Sequence, residues 1–497
     1  MKIKVLICLL VGTSLLARGQ TAPSAADLLH AGLAAMGGEQ KVRGMNSLHF
    51  QATAVRSMIE QSERPEGPYF LENHKIEEWR DLAHASWRRT TKIDAPAQDE
   101  FTVDAAMSDG TASLSFDGHP GPVSDEQLQD ADEALALGPE RVMITALANP
   151  DLHRMADLPL QGVTHQEVEF TWKGLPVRIF LNSDTHLPTA VEWVRAYPYG
   201  IFWSIWGDVT TRVYYSFWWL QNGLHYPLQR DIFRNGLPDR TETITRIDFN
   251  EPIVADTFAI SPETRTAFAA VAGKTMDDRA PKESAASEIA PGIVLFRGSW
   301  NTTLIHQDDG IIVLEAPISA GYSAQVIRLA QTRYPGAPIK AVITTSDSWP
   351  HIGGVREYVA QGIPVYVVDR TVPLIERVVR APHIQHPDAL AKAPRPAKLR
   401  AVSSKMTIGT GPNRIELYPL RGETSERQMM VYFPEHKLLY GSDPFQQMGD
   451  GKLFYPQTVS ELQSAVAREN LAVDRFFMMH IGVNPWSMLS KAMQEVN

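Results

Sequence analysis

The chain has 497 residues, 44% of them hydrophobic, which supplies packed cores and excludes global disorder. Lys and Arg number 47 against 57 Asp and Glu, a formal charge of −10, so a nucleic-acid coat is excluded for want of a basic face. At about 150 residues per domain, the length allows two or three domains.

Met1-Lys2-Ile3-Lys4 is a short basic start, and Val5 to Leu16 is apolar apart from Gly12, Thr13 and Ser14. Ala17-Arg18-Gly19 and Gln20-Thr21-Ala22 both offer small-residue cleavage sites. The pattern predicts a secretory signal peptide over about 1–20, too short to span a bilayer, and hence a periplasmic or secreted protein. Its one cysteine, Cys8, lies inside that segment. Cleavage leaves a mature chain without disulfides, thiolate nucleophile or cysteine metal ligand. No later run reaches the ~18 uninterrupted apolar residues of a membrane span.

Residues 21–46 have apolar positions at helical spacing and a stop at Gly37-Gly38. Strands follow. Ser47–Val55, Val168–Trp172, Val177–Leu181 and Thr189–Val194 alternate, with turns at Lys173-Gly174, Asn182-Ser183-Asp184 and Asn222-Gly223. Such period-two alternation predicts an antiparallel sheet with one covered face. Gln127 to Asn149 is expected to be helical, ended by Pro150. The runs "LNSDTHLPTAVEWV", "HYPLQRDIF" and "ITRIDFNEPIVADTFAIS" resemble the last strands of periplasmic lipoprotein-carrier-like domains. The resemblance implies a curved antiparallel sheet with helices over residues 21–262, and binding of an apolar or lipid ligand as a common use. Eleven aromatic residues between Trp193 and Trp219 fit either a sheet core or the wall of an apolar groove. Residues 263–287, rich in Ala, charge and small polar residues, are expected to be a linker with one short helix at Thr266–Gly273.

From residue 288 strands and helices alternate, predicting layered α/β structure. Ile293–Phe296 and Asn301–His306 pair across Gly298, and Ile311–Glu315 follows the Asp308-Asp309-Gly310 turn. Ala320–Tyr334 is an amphipathic helix, Ile339–Thr345 a buried strand, and His351-Ile352-Gly353-Gly354 opens another helix to Gln361. The landmarks "APGIVLFRG", "NTTLIHQDDGIIVLEAP", "AVITTSDSWPHIGG", "MMVYFPEHKLLYGSD" and "FFMMHIG" resemble the metallo-β-lactamase fold over residues 288–497. That resemblance implies an αββα sandwich whose loops carry a zinc site at one sheet edge.

The family's loop reads H-x-H-x-D-H-x-G-G; here Ser346, Ser348 and Pro350 replace its first two histidines and its aspartate, and His351 is kept. A later histidine falls at Glu423 or Thr424, whereas Asp443 and His480 match. The resemblance therefore implies one zinc or other divalent ion on His351, Asp443 and His480, with Glu423 a further candidate, or a metal-free pocket. Three protein ligands and an open position suffice for catalytic zinc. His351 and Asp443 take the catalytic roles. Ser346, Asp347, Ser348, Trp349 and Arg421 are placed around a small-molecule substrate. Three readings compete: a single-metal hydrolase, a metal-free hydrolase using Ser346 or Ser348 with histidine, and a non-catalytic protein binding an apolar ligand in its N-terminal sheet. His383 and His386, with only Asp388 near, are expected to be solvent-exposed. Substrate and oligomeric state stay open.

Overall fold

The computed structural model describes residues 22–494 except 61–63, 65, 97, 201 and 447–452. The expected signal peptide and Cys8 lie outside the described residues.

Ser24 caps the first helix, Ala25–Ala35, through a reciprocal hydrogen bond with Asp27. Gly37 ends it at φ 118°, where an added Cβ would sit 2.2 Å from the Gly223 carbonyl. The predicted helix over 21–46 is therefore two pieces, the second Glu39–Arg43. Among the described residues, the strands between Ser47 and Phe249 then join one 14-stranded sheet, antiparallel throughout. Its first strand, Ser47–Ser57, lies mid-sheet between Leu71–Asp81 and the last strand, Leu237–Phe249.

Alternation is present, but part of the covered face is charged. Glu72, His74, Glu78 and Arg80 are the buried partners of Ile76 along Leu71–Asp81. Arg80 bonds Glu78 and Glu140, each at 2.6 Å, and Tyr226 donates to Glu140 at 3.0 Å. Pairing is what makes such burial tolerable. The predicted helix over Gln127–Asn149 is also two, Asp125–Leu137 and Val142–Leu147. Gly138 separates them with an extended backbone, and a Cβ there would lie 2.5 Å from the Arg80 guanidinium. The aromatic run divides as well. Trp193, Tyr197, Trp203, Trp206 and Tyr215 are buried, whereas Phe217 and Trp219 stand exposed.

The stretch 263–287 is more ordered than a linker. Ser261 caps a helix at Pro262–Ala269, earlier than the expected Thr266–Gly273. Met276 is buried, and Asp277 accepts the Gly321 amide at 2.7 Å.

Residues 286–402 form a seven-stranded sheet and 406–485 a six-stranded one, again among the described residues. In the first, Ala286–Ala290, Ile293–Phe296, Thr302–Gln307 and Gly310–Leu314 are antiparallel neighbours. Gly310–Leu314, Ile339–Ile343, Val365–Val368 and Leu399–Val402 then run parallel. The parallel strands are near-continuous apolar runs because both faces are covered. One core, including Leu295, Ile312, Ile343, Val431, Phe433 and Phe477, lies between the two sheets. Helices Ala320–Arg333, Val355–Ala360 and Val372–Arg380 cover the outer face of the larger sheet, and Pro456–Arg468 that of the smaller. The result is helix, sheet, sheet, helix. Each fully buried Ile, Leu or Val there contributes about 1.5–3 kcal/mol. The helix expected from His351 begins at Trp349, with Pro350 in its first turn, and breaks at Gly353-Gly354 before Val355–Ala360.

The N-terminal part packs on the helical layer of the larger sheet. Ile59, Tyr197, Trp203, Ile205 and Trp206 share a core with Val326, Val355 and Ile375. Polar contacts frame this junction. Asp208 accepts the amides of Ile384 and Gln385 at 2.7 and 3.1 Å, and Arg64 reaches Glu426 at 2.6 Å.

Candidate active site

Four strand ends converge. Gly310–Leu314 delivers Glu315, Ile339–Ile343 delivers Thr345 to His351, Leu438–Tyr440 delivers Asp443, and Arg475–Phe477 delivers His480. The two strands of each pair run parallel or lie in one parallel run, so their carboxyl ends open on the same side. Ligands bind at such ends in open α/β sheets. Gly353 and Gly354 allow the approach. A Cβ on Gly354 would fall 2.0 Å from Ser323 Oγ, and one on Gly353 would fall 2.7 Å from the Ile318 carbonyl.

The cavity they bound has a volume of about 450 Å³ and two kinds of wall. Its polar side has Ser346, Asp347, Ser348, His351, Thr424, Arg427, Asp443 and His480. Its apolar side has Trp300, Trp349 and Leu374 and, from the N-terminal part, Ile59, Phe202, Ile205 and Trp206. Trp349 packs edge-on to Trp300 at 4.7 Å between centroids. Arg377 lies 5.1 Å over the Trp206 ring.

His351 is fully buried. Its Nδ1 faces the Glu315 carboxylate at 3.0 Å, and its Nε2 has no partner. Burial disfavours its imidazolium, but the Glu315 and Asp443 carboxylates outweigh burial and raise its pKa. Glu315 also accepts the Thr345 amide at 3.3 Å and the Thr345 hydroxyl. With that proton on Glu315, Thr345 Oγ1 accepts from the Ser442 hydroxyl at 2.8 Å. Glu315 and Ser442 hold φ of 72° and 66°, a costly region for residues with a Cβ.

His480 is held in the same manner. Its Nδ1 donates to the Ser299 carbonyl at 2.7 Å, and its Nε2 lies 3.4 Å from Asp443 Oδ2. Burial opposes its charge, but Asp443 and the Ser299 carbonyl raise its pKa. Gln446 donates to Asp443 Oδ2 at 2.8 Å, while Oδ1 is buried without a partner.

The remaining expected residues divide. Ser346, Asp347, Ser348 and Trp349 line the cavity with His351, Asp443 and His480. Ser346 Oγ is spent on the Ser348 amide at 3.2 Å. Burial raises the Asp347 pKa against the pull of Arg427, which donates to it at 2.8 Å. Glu423 is exposed and outside the lining, and Thr424 stands there instead, bonded to Glu461 at 3.0 Å. Arg421 is also outside. It pairs with Asp369 at 2.8 Å and donates to the Ser403 carbonyl at 2.9 Å. The arginine of the cavity is Arg427. Arg427, Glu315, the N-terminal aromatic wall and Glu60, which also lines the cavity, escape a motif-based reading. Glu315 ends an apolar strand run, the single local sign of it in the sequence.

His386 is exposed as expected and meets Asp277 at 3.1 Å, but His383 is not. It packs beside Gly207, and burial lowers its pKa to about 4. Asp388 is engaged by Arg356 at 2.5 Å.

By donor chemistry alone, the set suits one divalent ion rather than two. Both imidazoles have Nδ1 occupied by an acceptor; Nε2 of His351 is unpartnered and that of His480 faces Asp443 Oδ2, beside the buried, unpartnered Oδ1 of the same carboxylate. Partners on the far ring nitrogen are how metal-binding imidazoles are oriented. The hydroxyls of Ser346, Ser348 and Thr424 offer nothing comparable for a second ion. The three ligand atoms are not drawn together: among the described residues, the trio within 4.8 Å of one another is His49, Asp248 and Glu251.

No family model and no curated protein matches the chain. Solved metallo-β-lactamases do. The DIM-1 enzyme shares 15% identity, covering 43% of this chain and 97% of its own, with a TM-score of 0.34. An enzyme from Pontibacter korlensis shares 16%, covering 42% and 98%, at 0.33. FIM-1 from Pseudomonas aeruginosa, solved in a mono-zinc form, shares 14%, covering 42% and 95%, at 0.33.

Proposed function

We propose that the chain is a hydrolase of the metallo-β-lactamase type, acting on a small molecule in the cleft with one divalent ion held by His351, Asp443 and His480. The observation that carries it is the pair of imidazoles whose Nδ1 atoms are fixed by Glu315 and the Ser299 carbonyl, next to the unpartnered Oδ1 of Asp443. When bound, the ion supplies Lewis-acid chemistry and makes water a nucleophile near neutral pH. Glu315 keeps the His351 ring in one orientation. Asp347 and Arg427 present a fixed dipole at the polar wall. Trp206, Trp300 and Trp349 exclude bulk water and accept the apolar part of a substrate. Because the N-terminal part supplies Ile59, Phe202, Ile205 and Trp206, it acts as part of the substrate wall. The competing apolar-ligand reading has less support: the 630 Å³ cavity of the N-terminal sheet has Tyr214 and Phe233 in its lining but sets the charged groups of Glu192, Arg212 and Asp231 beside them.

The test is a panel of lactam, thioester, ester and phosphodiester substrates assayed with and without added zinc. Zinc-dependent turnover that Asp443→Asn abolishes is expected. Turnover that persists in Asp443→Asn, or that ignores zinc, contradicts the proposal.

A further inference from the structure

We propose that His49, Asp248 and Glu251 form a second divalent-cation site, of zinc type, on the N-terminal sheet. None of the three lines the cleft, and the site does not depend on the function proposed for it. Their ligand atoms lie within 4.8 Å of one another. Two rigid strands and one fixed turn place them. His49 and Asp248 are directly opposite in the pairing of Ser47–Ser57 with Leu237–Phe249. Glu251 follows two residues after that last strand ends. Between them Asn250, at φ 58°, accepts the Asn46 amide at 2.7 Å and donates to the Gly44 carbonyl at 3.1 Å. Ser47 Oγ donates to the Glu251 carbonyl at 2.9 Å. The turn carrying Glu251 is thus tied to the start of the strand carrying His49.

The imidazole itself is oriented. Its ring stacks on Trp79 at 3.7 Å and 9°. Its side chain is 8% exposed, and its Nε2 faces Glu77 at 3.0 Å. A carboxylate on one ring nitrogen directs the other, here Nδ1, which lies 2.8 Å from Glu251 Oε2. Charge favours a cation. Glu77, Asp248 and Glu251 bring three carboxylates, of which Arg246 answers Asp248 at 2.7 Å. Even a protonated imidazole offers Glu77 and Glu251 a single positive charge between them. A divalent ion offers two. Asp248 and Glu251 are each about a third exposed, so an ion can enter from solvent. One imidazole with two carboxylates suits zinc better than calcium or magnesium, which prefer all-oxygen sets. On binding, the ion takes the Nδ1 lone pair, and the proton held between His49 and Glu251 leaves to solvent.

The experiment is calorimetric titration of zinc into metal-free full-length chain, comparing wild type with His49→Ala, Glu251→Gln and His480→Ala. Loss of one zinc equivalent, or a more than tenfold weaker site, is expected in His49→Ala and Glu251→Gln but not in His480→Ala. Titration of both His49→Ala and Glu251→Gln like wild type overturns the proposal, and if His49→Ala does not fold, Glu251→Gln decides alone. Failure of the cleft site reads differently: His480→Ala then matches wild type whatever the His49 variants do.

Discussion

Replacing Glu315 by alanine takes the acceptor from the centre of the cleft's supporting network. Glu315 is 1% exposed and receives His351 Nδ1, the Thr345 amide and the Thr345 hydroxyl. A buried donor left without a partner costs about 1–3 kcal/mol. The hydroxyl keeps Ser442 as an alternative at 2.8 Å, so two donors bear most of the loss. The expected destabilisation is about 3–5 kcal/mol, or roughly 6–20 °C in Tm for a cooperative unit of about 200 residues. The φ of 72° adds a discriminating comparison. Glycine relaxes that backbone strain by about 1 kcal/mol relative to alanine. Glutamine keeps the volume and one acceptor oxygen, at a cost of about 1–2 kcal/mol. Thermal and urea unfolding of the three variants should rank Gln above Gly above Ala. An alanine variant within about 1 kcal/mol of wild type refutes the reasoning.

Three further outcomes follow from the junction and the cavity. His383 is neutral in the fold, with its pKa lowered by burial to about 4 against about 6.5 unfolded. Its contribution is therefore complete above pH 6.5 and lost as pH falls toward 4, by up to about 3 kcal/mol, so urea unfolding at pH 7.5 and 4.5 should show a steeper decline for wild type than for His383→Gln. Gly207→Ala forces a Cβ to 1.9 Å from the Pro382 carbonyl at a φ of 65°, and should cost at least about 2 kcal/mol and expose the junction to limited proteolysis. Arg427→Met strands Asp347, whose side chain is 12% exposed, and should lower stability by about 1–3 kcal/mol at pH 7, with part of the loss recovered in Asp347→Asn/Arg427→Met.

Much of this architecture is written locally. Period-two alternation in Ser47–Val55 and Val177–Leu181 and the apolar runs of the parallel strands depend on residues a few positions apart. The cleft is less local. The Thr345–His351 loop, Asp443 and His480 carry recognisable neighbours, and all of them reach one cavity. The family resemblance puts Glu423 or Thr424 at the lost histidine position, with Arg421 at the rim beside it. A φ of 63° at Arg421 turns that side chain to Asp369, and Thr424 and Arg427 enter instead. Trp206 and Phe202 lie about 140 residues upstream of the loop they face, so no spacing signals the contact. The breaks at Gly138 and Gly353-Gly354 have the same origin, since each glycine makes room for a group distant in sequence.

The central proposal is that the cleft holds one divalent ion on His351, Asp443 and His480. Zinc per chain, measured by elemental analysis after loading and exhaustive dialysis, tests it most directly. His480→Ala should contain one equivalent less than wild type, and Ser346→Ala and Ser348→Ala should contain as much as wild type. Equal zinc in wild type and His480→Ala contradicts the account.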